Sequence, residues 1–175
     1  MAITMIPLSG IVSHAETTVG DQSTVKTYYE KVSNPTTLET GDEVLITYGT
    51  KALVANSDGN LGEGPITKTE DDKLIKVPDG SVWKVTKQNS MGGNKYFFET
   101  DKVDSNNRLK VGKNSISIGP ENNAFTVTSN GKIYRERYWS PFGDSTDYAI
   151  TYDNSNGFTG KADEGASNST AFTFY

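Results

Sequence analysis

The chain has 175 residues, no cysteine, one histidine and a formal net charge of −5. That length fits one ordinary domain. The missing cysteines exclude a disulfide framework, a thiol nucleophile and a Cys-based zinc site, and the acidic balance argues against nucleic acid and anionic membrane surfaces as partners.

Residues 1–15 read MAITMIPLSGIVSHA. An apolar stretch from Ile3 to Val12 ends in Ser13-His14-Ala15, with small residues where a signal peptidase needs them. The stretch is shorter than the ~20 apolar residues of a membrane span. It predicts a secretory signal peptide over 1–15, although no Lys or Arg precedes the apolar run. A buried first strand is the competing reading. Cleavage after Ala15 would remove His14, the only histidine. Residues 16–27 (ETTVGDQSTVKT) are polar and without periodicity, and read as a flexible leader.

From Tyr28 onward, short β-branched and aromatic runs alternate with Gly, Asn, Asp and Ser clusters. No stretch carries a helical apolar period. Strands are predicted at 28–32, 43–48, 51–55, 73–77, 82–86, 95–100, 108–111, 115–118, 124–128, 132–137, 147–152, 157–161 and 171–175. Turn signals such as Asp58-Gly59, Asp79-Gly80, Asn130-Gly131 and Asn156-Gly157 fall between them. The expected class is all-β.

Three strands resemble one another: Val82-Trp83-Lys84-Val85-Thr86, Ala124-Phe125-Thr126-Val127-Thr128 and Ala171-Phe172-Thr173-Phe174-Tyr175. Their aromatic residues, Trp83, Phe125 and Phe172, lie 42 and then 47 positions apart. Each follows a similar series: a strongly apolar strand, a second strand, then a weaker third. For the first unit that third strand is read as Leu74-Ile75-Lys76-Val77. Three four-stranded units, at about 43–86, 95–128 and 132–175, predict a β-trefoil domain over 28–175. One unit cannot cover its own apolar face, so three must share a core, and barrel closure removes exposed sheet edges. A β-sandwich is the rival architecture.

The order Tyr29-Glu30-Lys31-Val32, then Leu38-x-x-Gly41-Asp42-x-Val44-Leu45-Ile46, then Lys51-Ala52-Leu53, resembles the opening of trefoil-like modules in secreted and surface proteins of gut bacteria. Val82-Trp83-Lys84-Val85 resembles their first repeat closure. Asp147 to Asp153 with Gly157-Phe158 resembles their last hairpin, and Phe172-Thr173-Phe174-Tyr175 their terminal strand. The resemblance runs over 28–175 in loose strand patterns. It implies a module appended to enzymes or adhesins. The architecture is more distantly similar to ricin-type lectin trefoils, but no repeat here carries Gln-x-Trp.

No catalytic residue is nominated. A triad built on histidine is impossible in the mature chain. A carboxylate pair such as Asp144 and Asp147 would suit glycoside hydrolysis only across a cleft, and acids such as Glu70, Asp71 and Asp72 read as solvated turn residues. Asp153-Asn154-Ser155-Asn156-Gly157, with Glu164 at the twelfth position, has the start of a calcium loop. Its sixth position is Phe158 where such a loop needs Gly, so a tight hairpin turn is expected and no metal or cofactor. Lys102, Arg108, Lys110 and Lys113 form too small a basic patch for nucleic acid.

Loop 138–148 is the aromatic one: Trp139 and Phe142 stand beside Asp144, Asp147 and Tyr148. Ring faces beside carboxylates suit the CH faces and hydroxyls of a sugar, and aromatic loop residues also anchor protein contacts. An inward-folded plug of the barrel end is the other reading of Trp139 and Phe142. These residues predict a non-catalytic, secreted or cell-surface module that binds a glycan at Trp139, Phe142, Asp144, Asp147 and Tyr148. The alternative is a protein-interaction, adhesin or hydrolase-inhibitor module that binds a surface protein. No nucleic acid and no membrane insertion are expected.

Overall fold

A computed structural model describes residues 13–16, 26–90, 92–105, 107–120, 123–136, 147–163 and 169–175. Among these the chain is all-β, with one 3-10 turn at Pro35–Thr37. The first part carries β1 (Ser13–Glu16), β2 (Lys26–Tyr29), β3 (Glu43–Tyr48), β4 (Lys51–Ala55), β5 (Leu61–Pro65), β6 (Thr67–Lys68) and β7 (Leu74–Lys76). The middle carries β8 (Val82–Ser90), β9 (Gly93–Glu99), β10 (Arg108–Val111), β11 (Ile116–Gly119) and β12 (Thr126–Val127). The last part carries β13 (Ile133–Arg135), β14 (Asp147–Asp153), β15 (Gly157–Asp163) and β16 (Thr173–Phe174).

Antiparallel pairings run round a barrel. β3 pairs β8 through Val44 and Trp83, and β8 pairs β9 through Val85 and Phe98. The β9 to β12 junction is a bridge between Tyr96 and Phe125. Each residue there donates its N–H to the other's carbonyl at 2.8 Å. β12 pairs β13 through Val127 and Ile133. A bridge between Lys132 and Ala171 links the start of β13 to the approach to β16, and β16 pairs β3 through Phe174 and Ile46.

The strand pleat points alternate residues inward. Val44 and Ile46, Trp83 and Val85, Tyr96 and Phe98, Phe125 and Val127, Ile133, and Phe172 and Phe174 all meet in one buried cluster. The repeated aromatics Trp83, Phe125 and Phe172 are therefore core residues. Hairpins β4–β5, β10–β11 and β14–β15 add Leu53, Leu109, Ile150 and Phe158 to the same cluster. Strands of the three hairpins also touch one another.

One expectation is corrected. The strand that follows and pairs β4 along its whole length is β5, and not the run at 74–77. Gly62, Gly64 and Pro65 have low strand propensity, so β5 is carried by its neighbour. β7 instead joins β1, β2 and β6 in a small second sheet. Leu45 points away from the barrel interior and is buried with Ala52, Ile66, Leu74 and Tyr175 in a second cluster. Ala15 pairs Thr27 within β1–β2, so the cleavage point predicted after Ala15 falls in a strand.

Tyr175 is fully buried. Its carbonyl accepts from the Leu45 N–H at 2.8 Å, and its hydroxyl donates to Asp72 Oδ1 at 2.8 Å. Lys68 Nζ reaches the same oxygen at 3.0 Å. Lys68 first, and then Tyr175, hold the Asp72 carboxyl below its ordinary range. Burial pushes the Tyr175 phenol above its ordinary value of 10.0, and burial likewise raises Tyr29, Tyr96 and Tyr134. A raised folded value means that ionisation opposes folding. This stabilisation is complete below the unfolded value of about 10 and is lost as pH climbs through the raised folded values. Urea midpoints followed from neutral pH upward should hold until about pH 10 and then fall. Tyr175→Phe should lose about 1.5–3 kcal/mol at neutral pH, the net worth of a hydrogen bond to a charged group, and should soften the alkaline decline.

Candidate functional site

Of the nominated ligand residues, Trp139, Phe142 and Asp144 lie outside the described residues. Asp147 opens β14, half-buried, with Asp163 opposite in register. Tyr148 is half-buried and packs against the main core. Of the turn acids, Glu70 and Asp71 are exposed, while Asp72 is held by Tyr175 and Lys68. In the basic patch, Lys102 is paired with Asp79. Arg108 donates to Glu99 at 2.9 Å and lies over the Phe97 ring. Acids thus already neutralise two of its cations.

The segment with calcium-loop character is a hairpin turn. Asp153 Oδ1 accepts the N–H groups of Ser155 and Asn156, at 2.9 and 2.7 Å, and Oδ2 accepts from Asn156 Nδ2 at 3.1 Å. These bonds, the Asn156 side chain foremost, hold the Asp153 carboxyl below its usual range. Among the described residues, no three His, Cys, Asp or Glu side chains gather where they could hold a metal ion.

That hairpin forms one wall of an open cleft of about 450 Å³, lined by Asn114, Thr151, Asp153, Asn156, Thr159, Gly160 and Lys161. The pleat explains the lining. Ile150 and Phe158 enter the core, so their neighbours Thr151 and Thr159, opposite each other in register, turn to the other side. The turn between β10 and β11 forms the facing wall. Thr159 Oγ1 donates to the Asn114 carbonyl at 3.1 Å, and the Ala162 N–H donates to the Lys113 carbonyl at 3.0 Å. The walls meet closely at Gly160, where a Cβ would come within 2.3 Å of the Gly112 and Ser115 carbonyl oxygens. The cleft presents hydroxyls, amides, one carboxylate and one ammonium. It offers a dense array of hydrogen-bond donors and acceptors, with no imidazole or thiol in the lining to act as base or nucleophile.

A second cleft of about 370 Å³ lies by Pro78, Asp79, Gly80, Asp101 and Lys102. The Asp79–Lys102 ion pair crosses it.

Sequence reasoning passed over Tyr48 and Tyr152. Their rings stack with centroids 4.4 Å apart and planes 26° apart, and Tyr48 is 41% exposed. Tyr48 is in phase with Val44 and Ile46, so alternation alone assigns it to the core. It ends β3 at the Gly49-Thr50 turn, which carries its ring to the rim. Two tyrosines each ending an apolar strand segment beside a turn were the available signal. The chain matches no protein-family model, no curated protein and no solved structure. No helix among the described residues is long and apolar enough to cross a membrane.

Proposed function

We propose that this chain is a non-catalytic β-trefoil module that acts outside the cell or at its surface and binds carbohydrate. The trefoil part is supported by the order of elements. The barrel strands come as β3 with β8, β9 with β12, and β13 with β16; each couple encloses a core-facing hairpin, and the first also encloses the β6–β7 pair. The aromatic strand that closes each unit sends Trp83, Phe125 or Phe172 into the shared core. Placement outside the cell rests on the signal-like segment at 1–15.

The observation that carries the binding role is the polar cleft beside the third hairpin. A sugar hydroxyl both donates and accepts, so it needs amides, hydroxyls and charges gathered in one place. The same unit carries loop 138–148, in which Trp139 and Phe142 would supply stacking surface and Asp144, Asp147 and Tyr148 polar contacts. A broad glycan array tests this with the native chain, Trp139→Ala and Lys161→Ala. Native binding is expected, weakened by either substitution while the melting temperature stays within a few degrees. An array with no bound glycan sinks the reading. Recovery of one stoichiometric protein from extracts by a chain that binds no glycan would instead favour a protein-interaction module.

A further inference from the structure

Tyr48 and Ile75 are the large apolar side chains that stand exposed among the described residues. Their settings differ. Tyr48 is backed by a ladder of rings. Tyr152 stacks on it at 4.4 Å, Phe158 meets Tyr152 edge-on at 5.1 Å, and Phe158 stacks on Phe172 at 5.5 Å. Phe172 also meets Tyr48 edge-on at 6.4 Å. The ring is thus anchored to the barrel core on one side and open to solvent on the other. A ligand stacking there would not have to order it first.

Polar groups flank that ring. Lys51 is the register partner of Tyr48 across β3–β4, which puts the two side chains next to each other on one face. Lys51 Nζ lies 3.2 Å from Glu63 Oε1, and the two side chains remain 40% and 32% exposed. Glu63 also lies beside the Tyr152 phenol. It can come this close to the third hairpin because position 157 is glycine: a Cβ there would stand 2.9 Å from Glu63 Oε2. One aromatic face therefore has an ammonium and a carboxylate at its edge, both from hairpin β4–β5, while the ring that backs it comes from β14.

We propose that Tyr48, Lys51 and Glu63 form a second carbohydrate subsite, distinct from the cleft. The inference rests on the carbohydrate reading above and deepens it. A pyranose ring offers an apolar CH face to Tyr48. Its hydroxyls can donate to Glu63 and accept from Lys51. The base of a nucleotide would also stack, but the nucleotide's phosphates would meet Glu63 and an acidic chain. A protein partner buries about 800 Å² of surface per side, with few charges at the centre of the contact, and here a single ring stands among charges. Tyr152 and Thr151 are neighbours on one strand and point to opposite faces, so the cleft and the Tyr48 subsite flank the β14–β15 hairpin from two sides. One sugar ring cannot fill both. A branched or repeating glycan can, which raises affinity through linkage.

The test is amide-resolved NMR titration of the native chain, Tyr48→Ala and Tyr48→Phe. The probes are the methyl glycosides of galactose, glucose, mannose and N-acetylglucosamine. At least one probe should shift the amides of residues 48–51, 63 and 152. Tyr48→Ala should weaken that response roughly tenfold or more, and Tyr48→Phe should retain it. Glu63→Gln gives a second readout and should also weaken it. Shifts confined to residues 114, 159 and 161, unchanged in Tyr48→Ala, overturn the subsite and leave the cleft reading standing. No shift with any of the probes overturns the subsite whatever the array shows.

Discussion

Trp83→Ala is expected to lower the unfolding free energy by about 3–5 kcal/mol, the usual range for truncating a buried large aromatic. Trp83 is fully buried on β8 and packs in the cluster shared by all the barrel strands. It also acts outside its own strand, because Nε1 donates to the Leu53 carbonyl at 3.2 Å. Leu53 belongs to hairpin β4–β5, so one side chain ties a barrel strand to a hairpin. The alanine leaves a cavity and an unpaired buried carbonyl. A domain of ordinary stability has about 5–15 kcal/mol in total, so most of the margin would go. Trp83→Phe keeps most of the volume and loses the N–H, and should fall between. Urea denaturation followed by far-UV circular dichroism measures the series. A loss under about 1 kcal/mol for Trp83→Ala, a surface-like value, would show that the barrel interior is not one cooperative core.

Gly131→Ala is expected to be at least as damaging, for a different reason. Gly131 has φ +81°, and a Cβ there would stand 2.0 Å from the Phe172 carbonyl oxygen. The contact is with backbone, so no rotamer change relieves it. Nor can the backbone drift apart freely. Phe172 N–H donates to the Gly131 carbonyl at 3.0 Å, and Gly131 N–H donates to Thr128 at 2.9 Å. The first bond joins the turn before β13 to the residue before β16, and the second closes the β12–β13 turn itself. A left-handed alanine alone costs about 1–2 kcal/mol, and the forced separation of the junction adds to it. Gly59→Ala is the internal control. Its φ is +80°, with nothing within 4 Å of the added Cβ, so it should show only the conformational cost. Similar denaturation midpoints for the two variants would refute the role of Gly131 in barrel closure. Gly80 has the same kind of close approach, to the Ala55 carbonyl at 2.0 Å. Its alanine variant should therefore behave like Gly131→Ala.

Strand positions were the most legible feature. The predicted bounds at 43–48, 51–55 and 108–111 coincide with β3, β4 and β10, because each is a compact apolar or alternating run beside a turn signal. β5 was not legible. A run of Leu61-Gly62-Glu63-Gly64-Pro65 has no strand signal of its own, and it becomes a strand only by pairing β4. The 74–77 run has a strand signal that reads as the strand following β4, but β7 pairs β2 and β6, since local pattern carries no information on pairing. The candidate site was less legible. Thr159 and Asn114, joined across the cleft, are 45 residues apart. Tyr48 was hidden by its own phase with the core residues before it.

Composition and local alternation thus determined that this chain is all-β, where most strands lie, and that Trp83, Phe125 and Phe172 recur. The absence of cysteine determined that this chain forms no disulfide and no thiolate site. Tertiary structure decided which strands pair, which face Tyr48 shows, and that the third hairpin and the β10–β11 turn enclose a cleft. The physical reason is range. A strand's alternation follows from the backbone of neighbouring residues, whereas pairing and clefts depend on contacts between residues far apart in the chain, which exist only once the barrel has closed.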